Sequence, residues 1–257
     1  MKLKIKNKKS VSAVIITKDR PKYLLNAIKS VLNQSNKVNE IIIIDNGKKK
    51  LDFNNKKIKY FRTNYAIGSS RARNLGIKKS KSEYCAFLDD DDDWDKNYIK
   101  KSKKFLNKKH VLVGKVFSSS TKKIIKSKSL EINNKSLDQL FIRNPGIIGS
   151  NLIVSKQILK KINYFDKNLP LGQDKDIAIK SILKGYKVFR TSAKIFFNEN
   201  TLGQRNTGLF KYIKGKFIFY KKYKNLMNSF TKINYFLLFM KNTLYILYSY
   251  WWNDRNI

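Results

Sequence analysis

One cysteine, Cys85, and one histidine, His110, occur among 257 residues. A single thiol excludes an intrachain disulfide and any cysteine-based zinc cluster. A single imidazole excludes His-rich metal sites and HExxH chemistry, so a metal here must be held mainly by oxygen. Acids are also scarce: 18 Asp and Glu stand against 56 Lys and Arg, a net charge of +38. That balance attracts polyanions, whether nucleic acid, an anionic membrane or phosphorylated substrates. Lysine nevertheless runs from Lys2 to Lys241 alongside abundant Asn and Ile, which reads mostly as solvated surface inflated by AT-rich codon usage. Neither GxGxxG nor GxxxxGK[ST] is present, so the nicotinamide and P-loop readings lack their fingerprints. The basic opening is followed by an apolar stretch, Val11 to Ile16, too short for a signal-peptide core and ended by Lys18-Asp19-Arg20; a cytoplasmic protein is expected. There is no internal repeat.

What is present is enough for a core. The chain is 42% hydrophobic and long enough for one large α/β domain with a short appendage. Val11 to Ile16 and Ile41 to Ile44 are continuous β-branched runs, the pattern of parallel strands covered on both faces. Pro21 opens a helix whose apolar residues Leu24, Leu25, Ile28, Val31 and Leu32 recur at helical spacing. Ile58 to Phe61 predicts a third strand, Ser70 to Ile77 a helix and Tyr84 to Leu88 a fourth strand. Strands alternating with helices give βαβ units and a doubly wound sheet. Further on, Trp94 to Leu106 predicts a helix, Val111 to Phe117 a strand, and Ser118 to Lys135 a hairpin or mobile loop. Gly146 to Val154 predicts a strand, Lys156 to Ile162 a helix, and Asp174 to Leu183 a helix stopped by Gly185.

Five consecutive aspartates, Asp89 to Asp93, follow the fourth strand. Like charges so close need a cation or titrate upward, and functional residues in open α/β sheets gather beyond the carboxyl ends of strands. A solvated acidic turn is the other reading. An EF-hand loop counted from Asp89 would want Gly sixth and Glu twelfth, but Trp94 and Lys100 stand there. The remaining match is an incompletely ligated Mg²⁺ or Mn²⁺ whose open positions take diphosphate oxygens. Arg71 and Arg73 open a helix and offer guanidinium forks to a phosphate or ribose, with a solvated face as the alternative for either.

The ordered segments Val14 to Pro21 with Ser30 to Gln34, Glu40 to Gly47, Ala72 to Gly76, Glu83 to Asp92 with Trp94, Phe165-Asp166 and Gly172 to Ile177 together resemble the inverting glycosyltransferases of family 2. Val14-Ile-Ile-Thr-Lys-Asp-Arg-Pro21 with Ser30-Val-Leu-Asn-Gln34 is similar to the family's first strand and helix, and Glu40-Ile-Ile-Ile-Ile-Asp-Asn-Gly47 to its second strand and nucleotide-contacting turn. Ala72-Arg-Asn-Leu-Gly76 and Glu83 to Asp92 with Trp94 are similar to its helix and DxD strand end. Phe165-Asp166 and Gly172-Gln-Asp-Lys-Asp-Ile177 are similar to the segment ending in the catalytic ED motif. The likeness covers most of residues 10 to 200 and implies a GT-A fold: a doubly wound, mostly parallel central sheet with flanking helices, followed here by a helical C-terminal extension. The implied division is a catalytic domain over 1–207, with a nucleotide-sugar half at 10–117 and an acceptor half at 118–207, and a basic aromatic extension over 208–257.

The resemblance implies that Thr17, Asp45 and Asn46 line the base and ribose, with Arg73 nearby and Arg71 on the same helix. It implies Asp91 and Asp89 as metal ligands for Mn²⁺ or Mg²⁺, and Asp89 or Asp90 toward the ribose. Asp174 then matches the general base that takes a proton from the acceptor hydroxyl. The chain departs from the family in three places. Gln173 replaces the usual Glu of ED, Asn46 replaces a common Asp, and Phe197-Asn-Glu-Asn200 stands where many relatives carry a late His or Arg. His110 comes too early to substitute, and Cys85 reads as a core residue.

The implied activity is metal-dependent hexosyl transfer from a nucleotide diphosphate sugar to a glycan or lipid-linked acceptor in cell-surface polysaccharide synthesis. A catalytically inactive nucleotide-binding relative and a basic nucleic-acid-binding protein are the rivals, the second without any visible recognition motif. Tyr235 to Trp252 is strongly apolar, but a span would set Lys241 near mid-bilayer at roughly 2.5 to 3.5 kcal/mol. A peripheral contact with an anionic membrane at its inner face, or helices packed on the domain or on a second copy, are the two readings of this tail.

Overall fold

A computed structural model of the chain describes residues 9–126, 137–199, 201 and 209–255. Its centre is a nine-stranded sheet. β1 (Val11–Thr17), β2 (Glu40–Asp45), β3 (Ile58–Arg62) and β4 (Tyr84–Asp89) lie side by side in the order β3-β2-β1-β4, all parallel. The apolar runs form strands because both faces are covered. Val14, Ile42, Ile44, Cys85 and Phe87 point into one core, while Ala13, Ile15, Ile41, Ile43, Ala86 and Leu88 alternate into the other. α1 (Pro21–Leu32) covers the second face with Leu24, Ala27, Ile28 and Val31. α2 (Ser69–Lys79) covers the first so closely that a Cβ on Gly76 would collide with Val14 Cγ1.

The rest of the sheet is mixed. β6 (His110–Ser118), β8 (Leu152–Ser155) and β9 (Lys187–Phe197) extend it past β4, and β5 (Asp93–Trp94) closes that edge. β8 is antiparallel to both β4 and β6, and β9 is parallel to β6, so β6 and β9 run in the direction of the first four strands. β7 (Ile124–Lys126) pairs with β6, giving the hairpin expected in the Lys- and Ser-rich stretch; residues 127–136 lie outside the described residues.

Two local expectations differ from the structure. Trp94 belongs to a short strand rather than a helix: its Nε1 donates to the Ser150 carbonyl at 2.9 Å, and α3 covers only Tyr98–Lys103. The segment from Gly146 turns before it extends. Gly146 has φ +85°, a 3-10 turn occupies Gly149–Asn151, and the Asn151 amide bonds the Gly114 and Gly146 carbonyls. The long strand β9 lies where the sequence pattern predicts no strand. Cys85 is buried, and burial pushes its thiol up to about 12.

α4 (Leu137–Ile142), α5 (Lys156–Lys161) and α6 (Gln173–Leu183) complete the domain. α7 (Leu209–Tyr223) and α8 (Ser229–Arg255) form the helical C-terminal extension. They pack antiparallel, with Tyr212 stacked on Phe239 and Phe219 on Tyr235. Lys222 and Tyr223 of α7 reach the wholly buried Asp176 of α6. Among the described residues, no helix is long and apolar enough to cross a membrane.

Candidate active site

Parallel strands bring their carboxyl ends to one edge, and the register places Thr17 opposite Asp45 and Ile16 opposite Asp89. Beyond this edge, where the chain order switches between β1 and β4, lies a cleft of about 830 Å³. Thr17 to Arg20, Asn46, Arg73 and Asp89 to Asp91 line one wall. Pro170 to Asp174 and Lys211 line the other.

The five aspartates separate by partner. Asp89 Oδ1 accepts from Arg73 Nη2 at 2.6 Å, Asp90 Oδ2 from Thr17 Oγ1 at 2.7 Å and Asp91 Oδ2 from Arg20 Nη1 at 2.8 Å. These three face the cleft. Asp92 turns inward to the Ser150 hydroxyl and the Asn198 N–H, and Asp93 joins β5. Burial pushes the Asp90 carboxyl up to about 7; the Thr17 bond opposes this and the neighbouring Asp91 charge adds to it.

Asp174 stands across the cleft in the first turn of α6, which Gly172 enters at φ +77°, a left-handed conformation suited to glycine. Its carboxyl is 20% exposed, and its Oδ1 lies 3.6 Å from Arg73 Nη1 without a hydrogen bond from either side. Burial pushes its pKa up to about 6, against the pull of Arg73 and with a further push from Asp89; the Gly149 N–H bond lowers it. Burial likewise works against the Arg73 charge, but Asp89 and Asp174 together hold that pKa above its ordinary value. Gln173 points elsewhere, its amide tying the Leu169 and Pro170 carbonyls and so holding the wall that precedes Asp174.

Two expected residues do not reach the cleft. Arg71 is exposed, and its guanidinium bonds the Ile67 carbonyl at 3.4 Å. Two positions apart on a helix, Arg71 and Arg73 cannot face the same way, and Arg73 is the buried one. Asp45 is buried in the turn, where it accepts the Gly47 N–H at 2.7 Å and the Tyr60 hydroxyl at 2.6 Å. Asn46 lines the cleft, its amide donating to the Thr17 carbonyl at 2.9 Å. His110 opens β6 beside Phe189, away from the lining residues.

Arg20, Lys211 and Gly149 had no site signal in the sequence. Arg20 looked like the polar end of a strand, Lys211 like one lysine among many. A Cβ on Gly149 would collide with Arg73 Nη2 and stand 3.1 Å from Asp89 Oδ1. Gly149→Ala should therefore cost ~1–3 kcal/mol of stability, as overpacking does, by displacing a buried guanidinium. Urea unfolding checks this, and an unchanged midpoint would mean that Arg73 swings aside freely.

Among the described residues no three His, Cys, Asp or Glu side chains converge as a metal cage. Asp89 and Asp91 offer carboxylate oxygen alone, without imidazole or thiolate. That donor set fits a hard Mg²⁺ or Mn²⁺ ion completing its shell with phosphate and water, and does not fit zinc.

The profile described as Glycosyl transferase family 2 matches residues 12–163. An uncharacterized glycosyltransferase of Rickettsia conorii is 32% identical over 66% of this chain and 28% of its own. The chain thus spans about a quarter of that relative's length. An Escherichia coli K12 protein assigned to colanic acid biosynthesis as glycosyl transferase WcaA is 27% identical over 89% of this chain and 86% of its own. The GalNAc(5)-diNAcBac-PP-undecaprenol beta-1,3-glucosyltransferase of Campylobacter jejuni is 35% identical over 32% of this chain and 30% of its own. Among solved structures, Staphylococcus aureus TarS 1–349 in complex with UDP-GlcNAc superposes with a TM-score of 0.58 at 19% identity. It covers 74% of this chain and 58% of its own, a likeness of fold that bears out the expected GT-A architecture.

Proposed function

The chain belongs to glycosyltransferase family 2, and from that premise we propose that it moves one sugar, with inversion, from a nucleotide diphosphate donor to a hydroxyl of a glycan or lipid-linked acceptor. The acceptor class follows relatives named for colanic acid biosynthesis and for a PP-undecaprenol substrate. A donor of this kind is supported by the UDP-GlcNAc held by a protein of the same fold.

One observation carries the reading: Arg73 bridges Asp89 on the donor wall and Asp174 on the facing wall of a single cleft. Thr17 and Asn46 line the end assigned to base and ribose, with Asp45 shaping the turn behind them. Asp89 and Asp91 would hold Mg²⁺ or Mn²⁺, which when bound offsets the charge of the departing diphosphate. Arg20, paired with Asp91, keeps that acidic wall neutralised. Asp174, whose carboxyl is 20% exposed in the cleft lining, takes the acceptor's hydroxyl proton as the acceptor oxygen attacks the anomeric carbon and the bond to diphosphate breaks. A pKa near 6 leaves this carboxylate ionised at neutral pH yet more basic than an exposed aspartate.

Calorimetric titration with a panel of nucleotide diphosphate sugars tests the donor half. With Mn²⁺ present at least one should bind saturably, and chelation or Asp91→Ala should weaken it by about tenfold or more, since the diphosphate has no glycine-loop cradle. Equal affinity in all three conditions would remove the metal from the account; no binding by any donor would remove the donor.

A further inference from the structure

α8 turns one side to the domain and leaves the other uncovered by any of the described residues. Thr231 and Tyr235 are buried on the packed side, Thr231 Oγ1 bonded to Asp138 at 2.7 Å and the Tyr235 hydroxyl to the Lys216 carbonyl at 2.8 Å. On the opposite side Ile233, Leu237, Met240, Leu244 and Leu247 are spaced four, three, four and three residues apart, which puts them on one stripe. Each is between 43% and 61% exposed, where a helix on a water-facing surface carries polar residues. Lys232 and Lys241 flank the stripe and are exposed as well. α7 adds Phe210 and Phe217, 79% and 66% exposed.

The charge decides what covers this face. From Leu209 to Tyr248 the sequence has eight lysines and no acid. Three-four spacing would also seat a second helix, but a second copy would bring the same lysines with nothing to pair them, and like charges across such a seam repel. An anionic lipid surface supplies both needs: hydrocarbon for the stripe, and negative charge for lysines whose stems lie along it with their heads at the phosphates.

We propose that the α7–α8 hairpin is a docking surface for an anionic lipid bilayer. The hairpin lies on the surface and does not cross it. Its position on the domain is fixed: Lys222 pairs with Asp166 and Asp176, and Gly215 lets α7 approach Leu171, whose side chain a Cβ there would meet at 3.0 Å. Leu171 and Lys211 also line the cleft, so a docked hairpin holds the cleft mouth at the lipid surface. That a lipid-linked acceptor is thereby met in place rests on the transferase reading; the docking itself does not.

Flotation of the full chain with phosphatidylcholine vesicles, with and without phosphatidylglycerol, tests the proposal. Partition should be about tenfold or more higher with the anionic lipid, and part of it should survive high salt, because salt screens the lysines but not the inserted side chains. Leu237→Glu with Leu244→Glu, at exposed positions, should lose about tenfold or more of that partition while melting and nucleotide-sugar binding stay unchanged. Equal partition of variant and wild type would overturn the proposal, as would no flotation of wild type. A wild-type dimer in light scattering that the variant converts to monomer would assign the face to a second copy instead. Wild-type protein that binds a nucleotide sugar but does not float is a failure of the docking alone, and wild-type protein that floats but binds no nucleotide sugar is a failure of the transferase reading alone.

Discussion

Asp174→Asn is expected to lower sugar transfer by about 100-fold or more while leaving donor affinity within a few fold, the signature of a lost general base. The amide keeps the size of the side chain and removes its capacity to take the acceptor's proton. The wild-type pH profile should carry the same information. The base works ionised, so transfer should fall as pH drops through about 6 and level off above it, and the variant should lack that limb. Initial rates between pH 5 and 8 for both proteins decide the matter. Persistent transfer in the variant would place the base elsewhere. Asp176 would not be the replacement, since it is wholly buried and engaged by Tyr223, Lys222 and Lys180.

Arg73→Met should cost ~3–5 kcal/mol of stability near neutral pH, because it strands two carboxylates around a vacated buried cation. Arg73 is 5% exposed, and its pairs with Asp89 at 2.6 Å and Asp174 at 3.6 Å are the counterbalance for both acids. Arg73 also lowers the Asp174 pKa, so its removal should raise that pKa and move the acid limb of any residual transfer above 6. The sign follows from proton uptake. With the cation gone the folded state holds a proton on Asp174 to higher pH than the unfolded chain does, so the deficit should shrink as pH falls. Urea unfolding at pH 5 and pH 7, with the pH–rate profile, measures both effects. A stable variant with a stationary limb would show that Arg73 is incidental to the acids.

The parts of this molecule that could be read from the sequence are those with local causes. β1, β2 and β4 announced themselves as unbroken apolar runs because both of their faces are buried, and the aspartates after Leu88 marked a strand end at which acids gather. β9 did not. Lys187, Arg190, Thr191, Ser192 and Lys194 interrupt it, and its strand character comes from pairing with β6 and β5 across long sequence separations. The site shows the same division. Thr17, Asn46, Arg73, Asp89, Asp90, Asp91 and Asp174 could be assigned to one region and now line one cleft, whereas the Arg20–Asp91 pair, 71 residues apart, exists only through the sheet. Arg71 and Arg73 looked equivalent as letters; helix phase, with Ala72, Arg73, Gly76 and Ile77 buried, separates them. Asp45 resembled a ligand-facing residue but is consumed by its own turn and by Tyr60. Gly149 carried no signal, because the reason for glycine there is the guanidinium of a residue on another element.

The central claim is a single in-line displacement in which one carboxylate, Asp174, serves as base. The anomeric configuration of the first sugar released when an α-linked nucleotide sugar is turned over, with water as acceptor, tests it most directly. Proton NMR during the first turnovers should show the β-anomer appearing before mutarotation, since direct attack on the face opposite the diphosphate inverts the centre. The α-anomer appearing first would mean net retention, by double displacement or by attack on the same face, and would contradict the role assigned to Asp174.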